Sequence, residues 1–292
     1  MHTKQGCEDA RKRNSTTGEL LYHNHDFYYD APFHVIEALV KAYPEGIVDP
    51  TYSRKRFPYL IDIVVYSAWK ETRNKVFKLF FETNPKCLDN CAFGLFHHAF
   101  QQCDLEVSEL LIQTNPNFLY QNDPNITKYG LPIHLACSKV RCKQIDLLLA
   151  FDPSHARMVK EDSKMLPLHL ACMPAIQIFD IETFRRLIEA YPQAAKEKDS
   201  KGRLPLHYAC DDTYVRPNKP GLVSELLKIY PEAVRIRGKN KNLPVHYMKK
   251  AIYPGCTRVV EKQLVALIET YHDSLLQIDG DNQLVLDTFA EF

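Results

Sequence analysis

The chain offers almost no net charge: 37 Lys and Arg stand against 36 Asp and Glu, leaving +1 at pH 7. So even a balance gives no global field that would draw in nucleic acid or a membrane surface. A long apolar run is missing as well. The longest, Tyr59 to Trp69, carries Asp62, and a bilayer-spanning helix needs about 20 apolar residues. Met1 to Leu20 is polar and basic and has no apolar core of a signal peptide. The nine cysteines are odd in number and follow no framework of spacings. They read as free thiols of a reducing compartment, with the cytoplasm as the default location. No phosphate-cradling loop, nucleophile elbow, His-Glu-x-x-His or paired Cys-x-x-Cys set occurs. No cofactor, metal or small-molecule substrate is therefore expected, nor an enzyme.

What the chain does have is repetition. Leu204-Pro205-Leu206-His207-Tyr208-Ala209-Cys210 matches Leu131-Pro132-Ile133-His134-Leu135-Ala136-Cys137 and Leu166-Pro167-Leu168-His169-Leu170-Ala171-Cys172. A worn copy reads Leu243-Pro244-Val245-His246-Tyr247-Met248. The histidines His134, His169, His207 and His246 stand 35, 38 and 39 residues apart. Fainter copies around His23, Leu60 and His97, and a last one ending on Asp287, extend the series in both directions. A second motif keeps phase with the first: an apolar helical stretch that closes on proline, as in Leu187-Ile188-Glu189-Ala190-Tyr191-Pro192 and Leu226-Leu227-Lys228-Ile229-Tyr230-Pro231. A recurrence of 20–50 residues marks a stacked repeat.

Each unit reads as two helices. The first starts at the proline of Leu-Pro-x-His, because proline suits the first helical turn, where its missing N–H has no partner. The second buries one stripe, such as Ile181, Phe184, Leu187, Ile188 and Tyr191. It ends before the next proline, since the residue preceding proline resists the helical region. A polar segment such as Lys196 to Arg203 then turns the chain back. A unit of roughly 37 residues buries too little surface to stand alone, so its apolar sides must be covered by neighbours. The expected architecture is an all-α solenoid of seven helix pairs plus a C-terminal half repeat. It spans 19–292, behind a mobile polar tail over 1–18. Arg11-Lys12-Arg13 in that tail is a candidate nuclear address.

At Asp199-Ser200-Lys201-Gly202-Arg203-Leu204-Pro205-Leu206-His207-Tyr208-Ala209-Cys210 the chain resembles the ankyrin-repeat family. That family's pattern is Asp-x-x-Gly-x-Thr-Pro-Leu-His-x-Ala-Ala followed by a helix carrying Leu-Leu. Leu204 and Cys210 depart from it, and the units exceed the family's 33 residues. The resemblance implies a non-catalytic scaffold that binds another protein through loop tips and the concave face of the first helices. Carried over position by position, those places are Lys128, Gly130, Ser138, Lys139, Ser163, Met165 and Met173. Further along they are Ser200, Lys201, Arg203, Asp211, Asp212, Lys239, Asn240, Asn242 and Lys250.

Several features carry a bland reading beside a sharper one. The histidine column is read as repeat anchors that bond to neighbouring backbone. Successive anchors lie about 10 Å apart and cannot share a zinc, whose ligands stand about 2 Å from the metal. Cys137, Cys172 and Cys210 read as small core residues. Arg235 to Lys250 holds six basic residues and no acid, which reads as a solvated face or as a docking patch for an acidic protein. Two alternatives to a scaffold remain. One is an enzyme with its site in the inter-helix insertions Met173–Asp180 or Asp211–Pro220. The other is nucleic-acid binding through 235–250, although the interleaved aromatics of a stacking platform are missing.

Overall fold

The computed structural model describes residues 32–47, 70–85, 105–120, 130–173, 180–211, 221–238, 240–251 and 258–285. The polar tail, the faint motif copies at 20–23, 57–60 and 94–99, and Asp287 lie outside them. Among the described residues every regular element is a helix. Two isolated bridges, Lys160 to Met165 and Ile278 to Leu284, are the β-like pairings described. The chain divides into two compact units, Met1–Thr127 and Lys128–Phe292.

In the first unit, helix α1 (Phe33–Ala42) packs on α2 (Lys70–Thr83), and α2 packs on α3 (Leu105–Thr114). Ile36 and Val40 of α1, Val76, Phe77 and Phe80 of α2, and Val107 and Leu111 of α3 are buried. Their spacings of three and four residues put them on one face of each helix. Lys78 of α2 is paired with Glu106 of α3.

The second unit carries α4 (Pro132–Ser138), α5 (Cys142–Phe151), α6 (Pro167–Cys172) and α7 (Ile181–Ala190). It continues with α8 (Pro205–Cys210), α9 (Leu222–Ile229), a 3-10 helix over Pro244–Ala251, and α10 (Arg258–Thr270). The Leu-Pro-x-His helices form one row: α4 on α6, α6 on α8, and α8 on Pro244–Ala251. The longer helices form a second: α5 on α7, α7 on α9, and α9 on α10. The worn fourth motif thus coils more tightly than the other three. The first row is short and almost wholly buried, including Leu206, Ala209 and Cys210 of α8. Small residues at the last two positions let adjacent helices approach.

The prolines that close the second helices have a further effect. Each opens a 3-10 helix: Pro116–Tyr120, Pro153–Arg157, Pro192–Lys196 and Pro231–Arg235. Proline at a first turn loses no hydrogen bond. Four of these turns bury a pair of residues, Phe118 and Leu119, His155 and Ala156, Ala194 and Ala195, Ala233 and Val234, and the 3-10 helix Pro44–Ile47 after α1 buries Ile47. The polar segment expected to turn the chain back, such as Lys196 to Arg203, begins where these 3-10 helices end, and most of it is exposed.

Candidate interaction surface

The surface is set by the histidines beneath it. In each Leu-Pro-x-His copy the leucine N–H donates to histidine Nδ1 three residues on. The distances are 3.1 Å at His134, 3.1 Å at His169, 3.0 Å at His207 and 2.8 Å at His246. A ring whose Nδ1 accepts carries its proton on Nε2. His134 Nε2–H donates to the Met158 carbonyl at 2.8 Å, His169 to Arg203 at 3.2 Å and His246 to Gln277 at 3.3 Å. His207 Nε2 faces the carbonyls of Ile236 and Asn242 but meets neither in good geometry. His134, His169 and His246 thus tie their own helix starts to the backbone of the connection that follows. Burial drives His134, His169 and His207 down from 6.5 to about 4, against the upward pull of the carbonyls they face. They are neutral near pH 7.

Four tight turns lie along these connections. In three of them the first residue's N–H reaches the carbonyl four residues on: Asp199 to Arg203, Gly238 to Asn242 and Asp279 to Gln283, at 3.0, 3.0 and 2.9 Å. The first turn is one residue longer, with Lys160 N–H on the Met165 carbonyl at 2.8 Å. All four contain one left-handed residue two places before the helix-starting leucine. These are Lys164 (φ 54), Gly202 (φ 68), Lys241 (φ 61) and Asn282 (φ 60).

Asp199 and Asp279 brace their turns by accepting two backbone N–H groups each. Asp199 takes those of Lys201 and Arg203, both at 2.8 Å, and Asp279 those of Asp281 and Gln283 at 2.8 and 2.9 Å. Burial pushes the Asp199 carboxyl up, but these bonds and the Tyr208 hydroxyl at 2.5 Å outweigh it and hold it below its ordinary value. Gly238 stands where the third turn has no such aspartate. There Arg237 donates to the Lys241 carbonyl, to the Ile278 carbonyl at 2.8 Å and to Gln277 Oε1 at 2.9 Å.

Neighbouring turns touch. Ser200 N–H donates to the Ser163 carbonyl at 2.9 Å. A Cβ on Gly238 would stand 3.2 Å from Arg203 Cγ. Gly280 N–H donates to Asn242 Oδ1 at 2.7 Å. The tips therefore form a continuous row, with Lys164, Lys198, Ser200, Lys201, Asn240 and Lys241 exposed on it.

The residues carried over from the resemblance divide accordingly. Ser138, Lys139, Met173, Ser200, Lys201 and Asn240 are exposed. Met165 is not: it is 8% exposed, because its backbone closes the bridge to Lys160 and its side chain joins the core, so it leaves the set of tip contacts. Gly130 is buried too. Arg203 is half-buried, its guanidinium lying 3.9 Å over the Tyr208 ring. Asn242 and Asp211 are half-buried, and Asn242 holds the next turn. Lys128, Asp212 and Lys239 lie outside the described residues, and Lys250 sits on the Pro244–Ala251 helix. Within the basic run, Arg235 lies 4.6 Å from the Tyr271 ring centroid and Arg237 is spent on carbonyls, so these two charges serve the fold. The insertions proposed for an enzyme site fall mainly on 174–179 and 212–220, outside the described residues.

Two features escaped the sequence. Arg157, Lys196 and Arg235, the last residues of three 3-10 helices, sit over Tyr191, Tyr230 and Tyr271 of the next unit at 5.4, 5.5 and 4.6 Å. The signal was a basic residue four places after each of Pro153, Pro192 and Pro231. The other is the pair of left-handed lysines, which no sequence rule marks. Among the described residues no three His, Cys, Asp or Glu side chains gather to hold a metal ion. No described helix is long and apolar enough to cross a membrane. No protein-family model and no curated protein matches the chain.

Proposed function

We propose that the chain is an ankyrin-like α-solenoid of seven helix pairs plus a half repeat, and that it is a non-catalytic scaffold for protein–protein recognition. The observation that carries this proposal is the row of four turns, held from below by histidine bonds at the first, second and fourth and by Arg237 at the third, each presenting polar side chains outward. Groups locked in one backbone geometry and aimed at solvent lose little entropy when a partner arrives. The partner is a protein that meets the tips and the exposed ends of the first helices by surface complementarity. The proposal assigns the scaffold to the cytoplasm, where Cys137, Cys172 and Cys210 stay as buried thiols.

The test is quantitative affinity capture from the native cell. Wild type is compared with a tip variant, Ser138→Arg/Ser200→Arg/Asn240→Arg, and with an outer-helix control, Lys143→Glu/Lys262→Glu. Proteins lost with the tip variant and retained by the control are the expected outcome. Capture that is indifferent to both sets of changes overturns the scaffold assignment.

A further inference from the structure

Lysine is a poor choice for a left-handed backbone position. Its Cβ crowds the following carbonyl there, whereas glycine or asparagine fits with less strain. The second and fourth turns use Gly202 and Asn282 at that place, but the first and third use Lys164 and Lys241. Among the described residues neither lysine is in an ion pair: the first-turn pair is Lys160 with Asp162 at 2.5 Å. Both side chains are exposed. Strain retained at an exposed position points to a use for the side chain. The turn between them supplies Lys198 and Lys201, also exposed, so every turn from the first to the third ends in at least one solvent-facing ammonium. The buried carboxylate of Asp199 is taken up by Tyr208, by two N–H groups of its own turn and by Arg203 at 3.7 Å. The first turn also exposes Glu161 and Asp162, the latter taken up by Lys160, whereas the fourth turn exposes Asp281 and has no lysine.

We propose that the first three turns dock an extended, acidic segment of a partner protein, with an acidic residue at about every third position. This rests on the scaffold function above and narrows it to one kind of ligand. Packed helices stand about 8–10 Å apart, and the turns that join them share that spacing. An extended chain advances about 3.3 Å per residue, so three residues of the segment span one step of the row. Each acidic side chain then meets the lysine of one turn. Asp281 repels a fourth acidic residue and so sets where the acidic stretch ends.

Fluorescence anisotropy of the full chain tests this with labelled twelve-residue probes. The first is Glu-Gly-Ser repeated four times; the second has the same composition with its four glutamates adjacent; the third replaces glutamate by glutamine. A twelve-nucleotide oligo-dT is the fourth. The expected order is periodic probe tightest, adjacent-glutamate probe several-fold weaker, and no saturable binding of the glutamine probe. The double variant Lys164→Gly/Lys241→Gly is expected to weaken the periodic probe by on the order of tenfold. It also melts higher than wild type, by roughly 2–4 °C, because glycine relieves the left-handed strain. Each of three results overturns the proposal: no binding of the periodic probe, equal binding by the double variant, or tighter binding of oligo-dT. Lower affinity together with a lowered melting temperature overturns it too, since the loss then follows from the fold. Should capture from cells depend on the tips while the periodic probe fails, the acidic segment is wrong and the scaffold stands.

Discussion

The imidazoles of His134, His169 and His207 make the molecule sensitive to acid. Each is fully buried as the neutral ring, accepting at Nδ1 from a leucine N–H with Nε2 turned to the carbonyl side. Above pH 6.5 the ring is neutral whether the chain is folded or not, and its contribution is intact. Between 6.5 and about 4 only the unfolded chain takes up the proton, so stability falls as pH falls. The loss reaches on the order of 3 kcal/mol for each histidine by pH 4. Whole domains have about 5–15 kcal/mol in hand, so the unfolding midpoint in urea is expected to drop steadily from pH 7 to 4.5. The variant His169→Gln is expected to be less stable at pH 7, by roughly 1–3 kcal/mol for its lost bonds, and to show a shallower slope with pH. A slope identical to wild type would remove His169 from the titration. That these histidines anchor the backbone was legible in the sequence, since the motif sets them at a helix start. The burial of Met165 was not, because the first turn is one residue longer than the others and draws that side chain inward.

Among the elements, helices were easier to read from the sequence than the connections. Stripes such as Phe184, Leu187 and Ile188 have the helical period, whereas a five-residue 3-10 turn such as Pro192–Lys196 is too short to show one. Those turns carry contacts between units: a cation at the end of one 3-10 helix covers the tyrosine that ends the next unit's long helix. Such pairs contribute about 0.5–1 kcal/mol each where exposed. Arg235→Ala is expected to cost about that much in chemical denaturation, and Arg235→Lys less, because the ammonium keeps the charge over Tyr271. The turns depend on close approach as well. A Cβ on Gly280 would stand 2.3 Å from the Asn240 carbonyl oxygen, so Gly280→Ala must separate the third and fourth turns and break the bond to Asn242. Overpacking of this kind costs about 1–3 kcal/mol. Near-wild-type stability of Gly280→Ala would mean that the two turns part without consequence.

On the scale of the whole second unit, the two rows of helices determine how damage spreads. Each element of the Leu-Pro-x-His row meets the one before it and the one after it, and the long helices do the same. Stability in such a stack is a sum of unit and neighbour contributions. Leu206 of α8 is 1% exposed, and Leu206→Ala leaves a cavity costing about 2–5 kcal/mol. Its effect should be graded along the rows. Hydrogen exchange followed by mass spectrometry is expected to show the largest loss of protection in α8 and in the adjoining α6 and Pro244–Ala251. The loss should be smaller in α4, two steps away. A compact globule with one shared core would respond differently: every protected amide between 130 and 285 would lose the same increment, because no part could open without the rest. The graded pattern follows from the stacked rows, and a uniform one would contradict the nearest-neighbour stacking on which the proposed scaffold rests.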